Sequence, residues 1–162
     1  MKNKLDKVLS SFTALLMVVM VIMCCWQVFT RFILKDASKI SEEFLRYALI
    51  WVTMLGAPYA YGKEKHLAII LFTRTFDKRG KILNKLFIEG IVIFLSIFVL
   101  IMGGIKVIIN SIGQTSPALN LPMQYVYLSL PVCGVLIIIY SILNIGERLK
   151  EYKEWKEGGS AL

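Results

Sequence analysis

The residues in this 162-residue chain with the chemistry to catalyse, ligate or pair are few and scattered. Its single histidine, His66, has no acidic cluster beside it, so a zinc site has no ligand set. Cys24 and Cys25 are adjacent and Cys133 lies far away, a spacing that makes neither a C-x-x-C redox pair nor a metal knuckle. No glycine-rich phosphate loop is present. What does stand together is a short run of charge: Glu42, Glu43 and Arg46. Glu42 and Arg46 are spaced i,i+4 and Glu43 and Arg46 i,i+3, so on a helix either acid can pair with the arginine. Ser41, just before them, is the expected helix N-cap, and the glutamates after it sit where the helix dipole favours negative charge. Such a cluster reads equally well as a solvated helix start and as a docking or anchoring group at the membrane surface.

The elements that carry these residues follow from how the apolar residues are distributed. The chain is 57% hydrophobic and 19% charged, against about 45–50% and 25% in ordinary soluble domains; its mean hydropathy is +0.66. The apolar residues come in blocks. Val8 to Thr30 is 23 residues without a formal charge, and roughly 20 apolar residues at about 1.5 Å each cross a bilayer core. This run is too long for a signal-peptide core, and no small-x-small site follows, so it reads as a retained span. A second block, Tyr47 to Gly62, reaches spanning length if Phe44 and Leu45 join it and Arg46 snorkels to the headgroups. The predicted fold is therefore all-α integral membrane, a single domain with four transmembrane helices at about 8–30, 44–62, 86–109 and 125–146.

The formal net charge of +8 sets the orientation. Three Lys precede the first span, seven basic residues separate spans two and three, and four follow span four; only Arg31, Lys35, Lys39, Arg46 and Lys106 fall on the other side. Positive residues stay on the cytoplasmic side, so the arrangement is N-in/C-in. Scatter over three segments also argues against nucleic acid as a partner, since no single basic face results. Between spans two and three, Leu67 to Phe72 is too short to span and is flanked by basic residues; an interfacial amphipathic helix is expected there. The uncharged third loop, with Gly113, Pro117 and Pro122, reads as a re-entrant or tightly packed outer connection. Pro58 and Pro131 should kink their spans. Gly56 with Ala60, and Gly103 with Gly104, offer small-residue notches for close helix contact. Membrane-buried charge is confined to Arg46, Glu89 and Lys106, all near predicted span ends, which gives little to a self-sufficient proton-coupled carrier.

Several of these segments carry a resemblance. QVFTRFIL (27–34), SEEFLRYALIW (41–51), LGAPYAYGKEKHLAI (55–69) and SPALNLPMQYVYLSLPV (116–132) occur in the order found in the small membrane subunit of TRAP transporters, the DctQ type. One departure is that Ile40 and Ser41 stand where that family usually has a Trp before the paired glutamates. The resemblance implies a bacterial inner-membrane, multi-pass subunit of a tripartite secondary transporter for an organic acid anion. Its stable partner would be a large permease subunit that holds substrate and sodium sites, and a periplasmic substrate-binding protein would engage transiently. It also implies no enzymatic activity and no cofactor. The small subunit would act as a fixed scaffold, with Arg31, Glu42, Glu43, Arg46, Trp51 and His66 as subunit-interface or membrane-anchor residues. The competing reading is a small homo-oligomeric multidrug-type exporter, which calls for an acidic residue deep in a span; the first span has none.

Overall fold

The computed structural model describes residues 2–35, 38–63 and 78–158. Within them the fold is all helical: α1 (Lys2–Phe32), α2 (Lys39–Gly62), α3 (Lys78–Leu95), a π-helical segment (Ser96–Gly103), α4 (Gly104–Asn110), α5 (Met123–Tyr127) and α6 (Ser129–Gly158). His66 and the segment expected to lie flat in the interface fall outside the described residues.

Among the described residues, three stretches are long and apolar enough to cross a membrane: Lys2–Phe32, Leu86–Asn110 and Met123–Gly146. The second expected span does form a helix, and at 24 residues it is about 36 Å long at 1.5 Å per residue. Its composition is what falls short. Glu42, Glu43 and Arg46 occupy its first two turns, and Thr53, Gly56, Pro58 and three tyrosines dilute the rest. The helix is instead flanked by protein, lying between α1 and α6.

Local signals explain the helix ends. Ser38, not Ser41, caps α2: its backbone is extended (φ −65°, ψ 102°), and its hydroxyl oxygen accepts from the Ser41 amide at 3.4 Å and the Ser41 hydroxyl at 3.1 Å. The helix starts three residues earlier than expected because Lys39 and Ile40 continue it without penalty, leaving Ser41 inside. The helix runs unbroken through Pro58, whereas Pro131 coincides with a break. Its ring would clash with the carbonyl four residues back, that of Tyr127, and α5 ends at Tyr127 while α6 begins at Ser129. Pro131 then falls in the first turn of α6, where its missing N–H has no intrahelical acceptor to lose.

Packing uses small residues selectively. A Cβ on Gly134 of α6 would sit 2.9 Å from Leu100 and Ile101 side-chain atoms of the π-helical segment, and one on Gly104 would sit 2.9 Å from Pro131. These two glycines let the third and fourth apolar stretches approach closely, as expected for Gly104. Gly56 differs from the expectation: nothing lies within 4 Å of a Cβ placed there, so its notch serves no contact inside this chain. A small core of Leu9, Tyr61 and Tyr140, with Leu5, Tyr59, Val92, Leu136 and Ile137 against it, sits at the end where α1 begins and α2 finishes. Large apolar side chains elsewhere point outward, including Phe12, Leu15, Val18 and Ile22 on α1 and Phe94, Phe98 and Val99 in the third stretch. That is the pattern of helices solvated by lipid or by a protein partner rather than by water.

Candidate functional site

Apart from Ser96, buried midway along the third apolar stretch, the polar groups buried among the described residues gather at the two ends of the bundle, and each end is built differently. At the end formed by the start of α2, the 111–122 connection and α5, the central group is Glu43, 6% exposed. One carboxylate oxygen accepts from the backbone amides of Ala118 and Leu119, both at 2.8 Å. The other accepts from the Tyr47 hydroxyl at 2.8 Å, one helical turn on. The connection is itself tightly wound. Ser116 N donates to Leu121 O at 2.9 Å and Met123 N to Gln114 O at 3.0 Å, while Gly113 (φ 85°) and Asn120 (φ 52°) take left-handed backbone. Asn tolerates that conformation better than most residues. The uncharged outer connection expected from sequence is thus a compact hydrogen-bonded turn, held onto α2 by one carboxylate. Burial pushes the Glu43 carboxyl upward. The hydrogen bonds from Tyr47, from the Leu119 and Ala118 amides and from Ser116 outweigh it and hold the group below its ordinary value.

Arg46 takes the other acid. Its guanidinium pairs with Glu42 at 3.2 Å, and both side chains are largely exposed. The two spacings that looked equivalent in the sequence are therefore resolved. Glu42 and Arg46 share the outward face, and Glu43 is turned inward beneath the connection. Arg31 lies exposed in the last turn of α1, where a positive charge complements the helix dipole. Trp51 sits two turns below Glu43 and lines an apolar cavity of about 270 Å³, with Leu16 of α1, Tyr47 and Ala48 of α2, and Leu119 and Tyr125 across from them. The structure thus places Glu42, Glu43, Arg46 and Trp51 along the start of α2, and Arg31 apart from them on α1.

The opposite end holds residues that the sequence reading left without a role. Glu89 of α3 is 3% exposed and Asn144 of α6 is 2% exposed. Asn144 Nδ2 donates to Glu89 Oε1 at 3.2 Å, and the Tyr61 hydroxyl of α2 donates to Glu89 Oε2. The Ser141 hydroxyl lies 3.1 Å from the Tyr61 hydroxyl; with the Tyr61 proton committed to the carboxylate, Ser141 is the donor. From α1, Lys2 Nζ donates to Asn144 Oδ1 at 2.9 Å, and Asp6 Oδ1 accepts from the Tyr140 hydroxyl at 2.5 Å. Tyr140 is fully buried, and a Cβ on Gly62 would overlap its ring. Four helices thus meet at one hydrogen-bonded network. Glu89 was visible in the sequence as a charge near the start of a span. Its partner Asn144, a lone amide in YSILNI, was the signal that could have exposed the pairing, because an amide inside an apolar span needs a partner.

Cys24 and Cys25 are exposed on α1 and Cys133 is buried on α6, all as free thiols. Among the described residues no three His, Cys, Asp or Glu side chains come together to hold a metal ion.

The class defined by these features is a multi-pass helical membrane protein whose polar groups serve its own architecture. Its sequence matches, over residues 4–151, the family described as "Tripartite ATP-independent periplasmic transporters, DctQ component". The chain belongs to that family. It is 24% identical over 148 residues to the Vibrio cholerae "Sialic acid TRAP transporter small permease protein SiaQ", an alignment covering 91% of this chain and 83% of the relative. It is 23% identical over 133 residues to a TRAP transporter small permease protein of Haemophilus influenzae, covering 82% of each. The chain is accordingly a component of a transporter.

Proposed function

We propose that this chain is the small, non-transporting membrane subunit of a tripartite carrier for an organic acid anion in the bacterial inner membrane, acting as a fixed scaffold for a large permease subunit. Membership of the DctQ family over residues 4–151 is the observation that carries this reading. The bundle supports it physically. Its buried carboxylates, Glu43 and Glu89, are both occupied by partners from the same chain, so they serve cohesion rather than passage of a solute. A stable heterodimer with the large subunit, driven by sodium, and transient contact with a periplasmic binding protein complete the assembly. Sialic acid, named for the V. cholerae relative, and dicarboxylates both fall within the proposed substrate class.

In this reading α2 is the second of four spans, carried across the bilayer by α1 and α6 on either side despite its modest hydropathy. Both termini are cytoplasmic, as the distribution of basic residues requires. Glu42, Arg46 and Arg31 then face the outer surface as anchor or contact groups, and Trp51 contributes to the apolar cavity just beneath.

Reconstitution tests the proposal. Proteoliposomes with this chain alone are expected to accumulate no organic acid under a sodium gradient, and uptake is expected only with a co-purified large subunit and its binding protein. Sodium- or proton-driven uptake by the isolated chain would overturn it and favour an exporter-like or self-sufficient carrier.

A further inference from the structure

The network at the Glu89 end adds polar ties between helices that meet there through a small apolar core. α1 lies along α2, and α2 lies along α6; α1 and α6 share no packing of comparable extent. Two long-range polar bridges nevertheless cross from the first turns of α1 to α6: Lys2 to Asn144 and Asp6 to Tyr140. Each bridge uses one charged partner, and charge-assisted hydrogen bonds are roughly twice as strong as neutral ones. Each is also fixed from behind. Asn144 is held by Glu89, which Tyr61 holds in turn, and Ser141 binds Tyr61. Tyr140 is fully buried, with its ring against Gly62. The α6 side of both bridges is therefore preorganised.

We propose that Glu89, Asn144 and Tyr140 form a two-armed latch that sets the position of the first two turns of α1 relative to α6. Lys2 engages the arm relayed from Glu89, and Asp6 engages the arm made by Tyr140. The charges are complementary and specific to their order. Lys2 reaches the oxygen of an amide whose nitrogen is already committed to Glu89, so the amide passes the attraction of the carboxylate on to the lysine. Asp6 is offered a hydroxyl proton by Tyr140. With both arms closed the inner end of α1 has one position. With both open, the packing of α1 along α2 and the Leu5 and Leu9 contacts with Tyr61 and Tyr140 still hold it, but apolar contacts do not set direction. A single position at this end is what a fixed scaffold requires; that consequence rests on the function proposed above, but the latch itself does not.

The test is a distance measurement on the full-length chain in lipid nanodiscs, with spin labels at Asn3 and Leu149, both exposed. The parent is expected to show one narrow distance distribution. Lys2→Met with Tyr140→Phe, which removes both bridges while keeping the apolar bulk, is expected to broaden or displace it by at least about 3 Å, the rise of two helical residues. Each single variant is expected to do less than the pair, and Asn144→Leu to match Lys2→Met. Glu43→Gln, at the far end, is expected to leave the distribution unchanged. An unaltered narrow distribution in the Lys2→Met/Tyr140→Phe double variant would overturn the latch, as would equal broadening by Glu43→Gln. Should Asn144→Leu fail to fold, the Met and Phe variants still decide, because both leave Glu89 with its donors Tyr61 and Asn144.

Discussion

The two polar ends of the bundle solve the same problem with different chemistry. At the α2 start, a single carboxylate, Glu43, collects two backbone amides and one hydroxyl. At the other end the carboxylate of Glu89 is shared among side chains from two other helices, with a third joining through Lys2. The first arrangement holds a connection to a helix. The second holds helices to one another. A backbone amide is present at almost every residue, so the first clamp depends on one side chain and on the shape of a turn. The second needs a particular residue on each of four helices. Single substitutions should therefore act locally at the Glu43 end and spread across helices at the Glu89 end.

That contrast can be broken most forcefully at Gly62. Gly62→Ala places a methyl group in the Tyr140 ring, whose hydroxyl is tied to Asp6. Overpacking of this kind costs about 1–3 kcal/mol, seen as a lower midpoint of thermal unfolding in detergent. Gly56→Ala is its control: nothing occupies the space there, and replacing a helical Gly gains up to about 1 kcal/mol. Equal effects at the two glycines would show that helix propensity, not the Tyr140 contact, governs this end.

At the Glu43 end, Glu43→Ala leaves the Ala118 and Leu119 amides without their acceptor. Both should exchange with deuterium markedly faster, while amides around Tyr140 keep their protection. Spread of the effect to α6 would erase the distinction between local and shared clamps. The same clamp has a pH signature. The folded-state pKa of Glu43 is lowered, so its contribution is complete above the unfolded carboxylate value, about 4.3, and is lost as pH falls through the lowered folded value. Protection of Ala118 and Leu119 should hold through neutral and mildly acidic pH and drop only below the ordinary carboxylate range. Glu43→Gln should abolish that acid step.

The smallest effect is expected on the outward face. The Glu42–Arg46 pair is 60% and 67% exposed, and such i,i+4 pairs contribute about 0.3–0.5 kcal/mol. Reversing either charge alone should lower stability by no more than that, and reversing both should restore most of it. A larger loss on co-purification with a large subunit than on stability of the chain alone would mark the pair as a contact with that partner.

Much of this protein is legible in its sequence because a bilayer imposes long, one-dimensional requirements. The apolar runs behind α1, the third stretch and the fourth can be counted directly, and the helix break ahead of Pro131 follows from ring sterics four residues back. The charges at the start of α2 were legible as a cluster but not in their pairing. Glu42 and Glu43 differ by one position, and a 100° turn of the helix puts one in the open and the other beneath the 111–122 connection. Gly56 and Gly104 look alike in sequence, yet only Gly104 faces a neighbour. Glu89 was legible as a charge, but Asn144 is 55 residues away and Lys2 another 87 from Glu89 in the other direction.

The sequence by itself determined a helical membrane protein and its family, because length and hydropathy act segment by segment. Tertiary structure alone decided which buried charge meets which partner. A carboxylate in an apolar bundle must be satisfied by whatever donors the fold brings within about 3 Å. For Glu43 those are the amides of a turn some 75 residues on, and for Glu89 they are a tyrosine and an asparagine on two other helices.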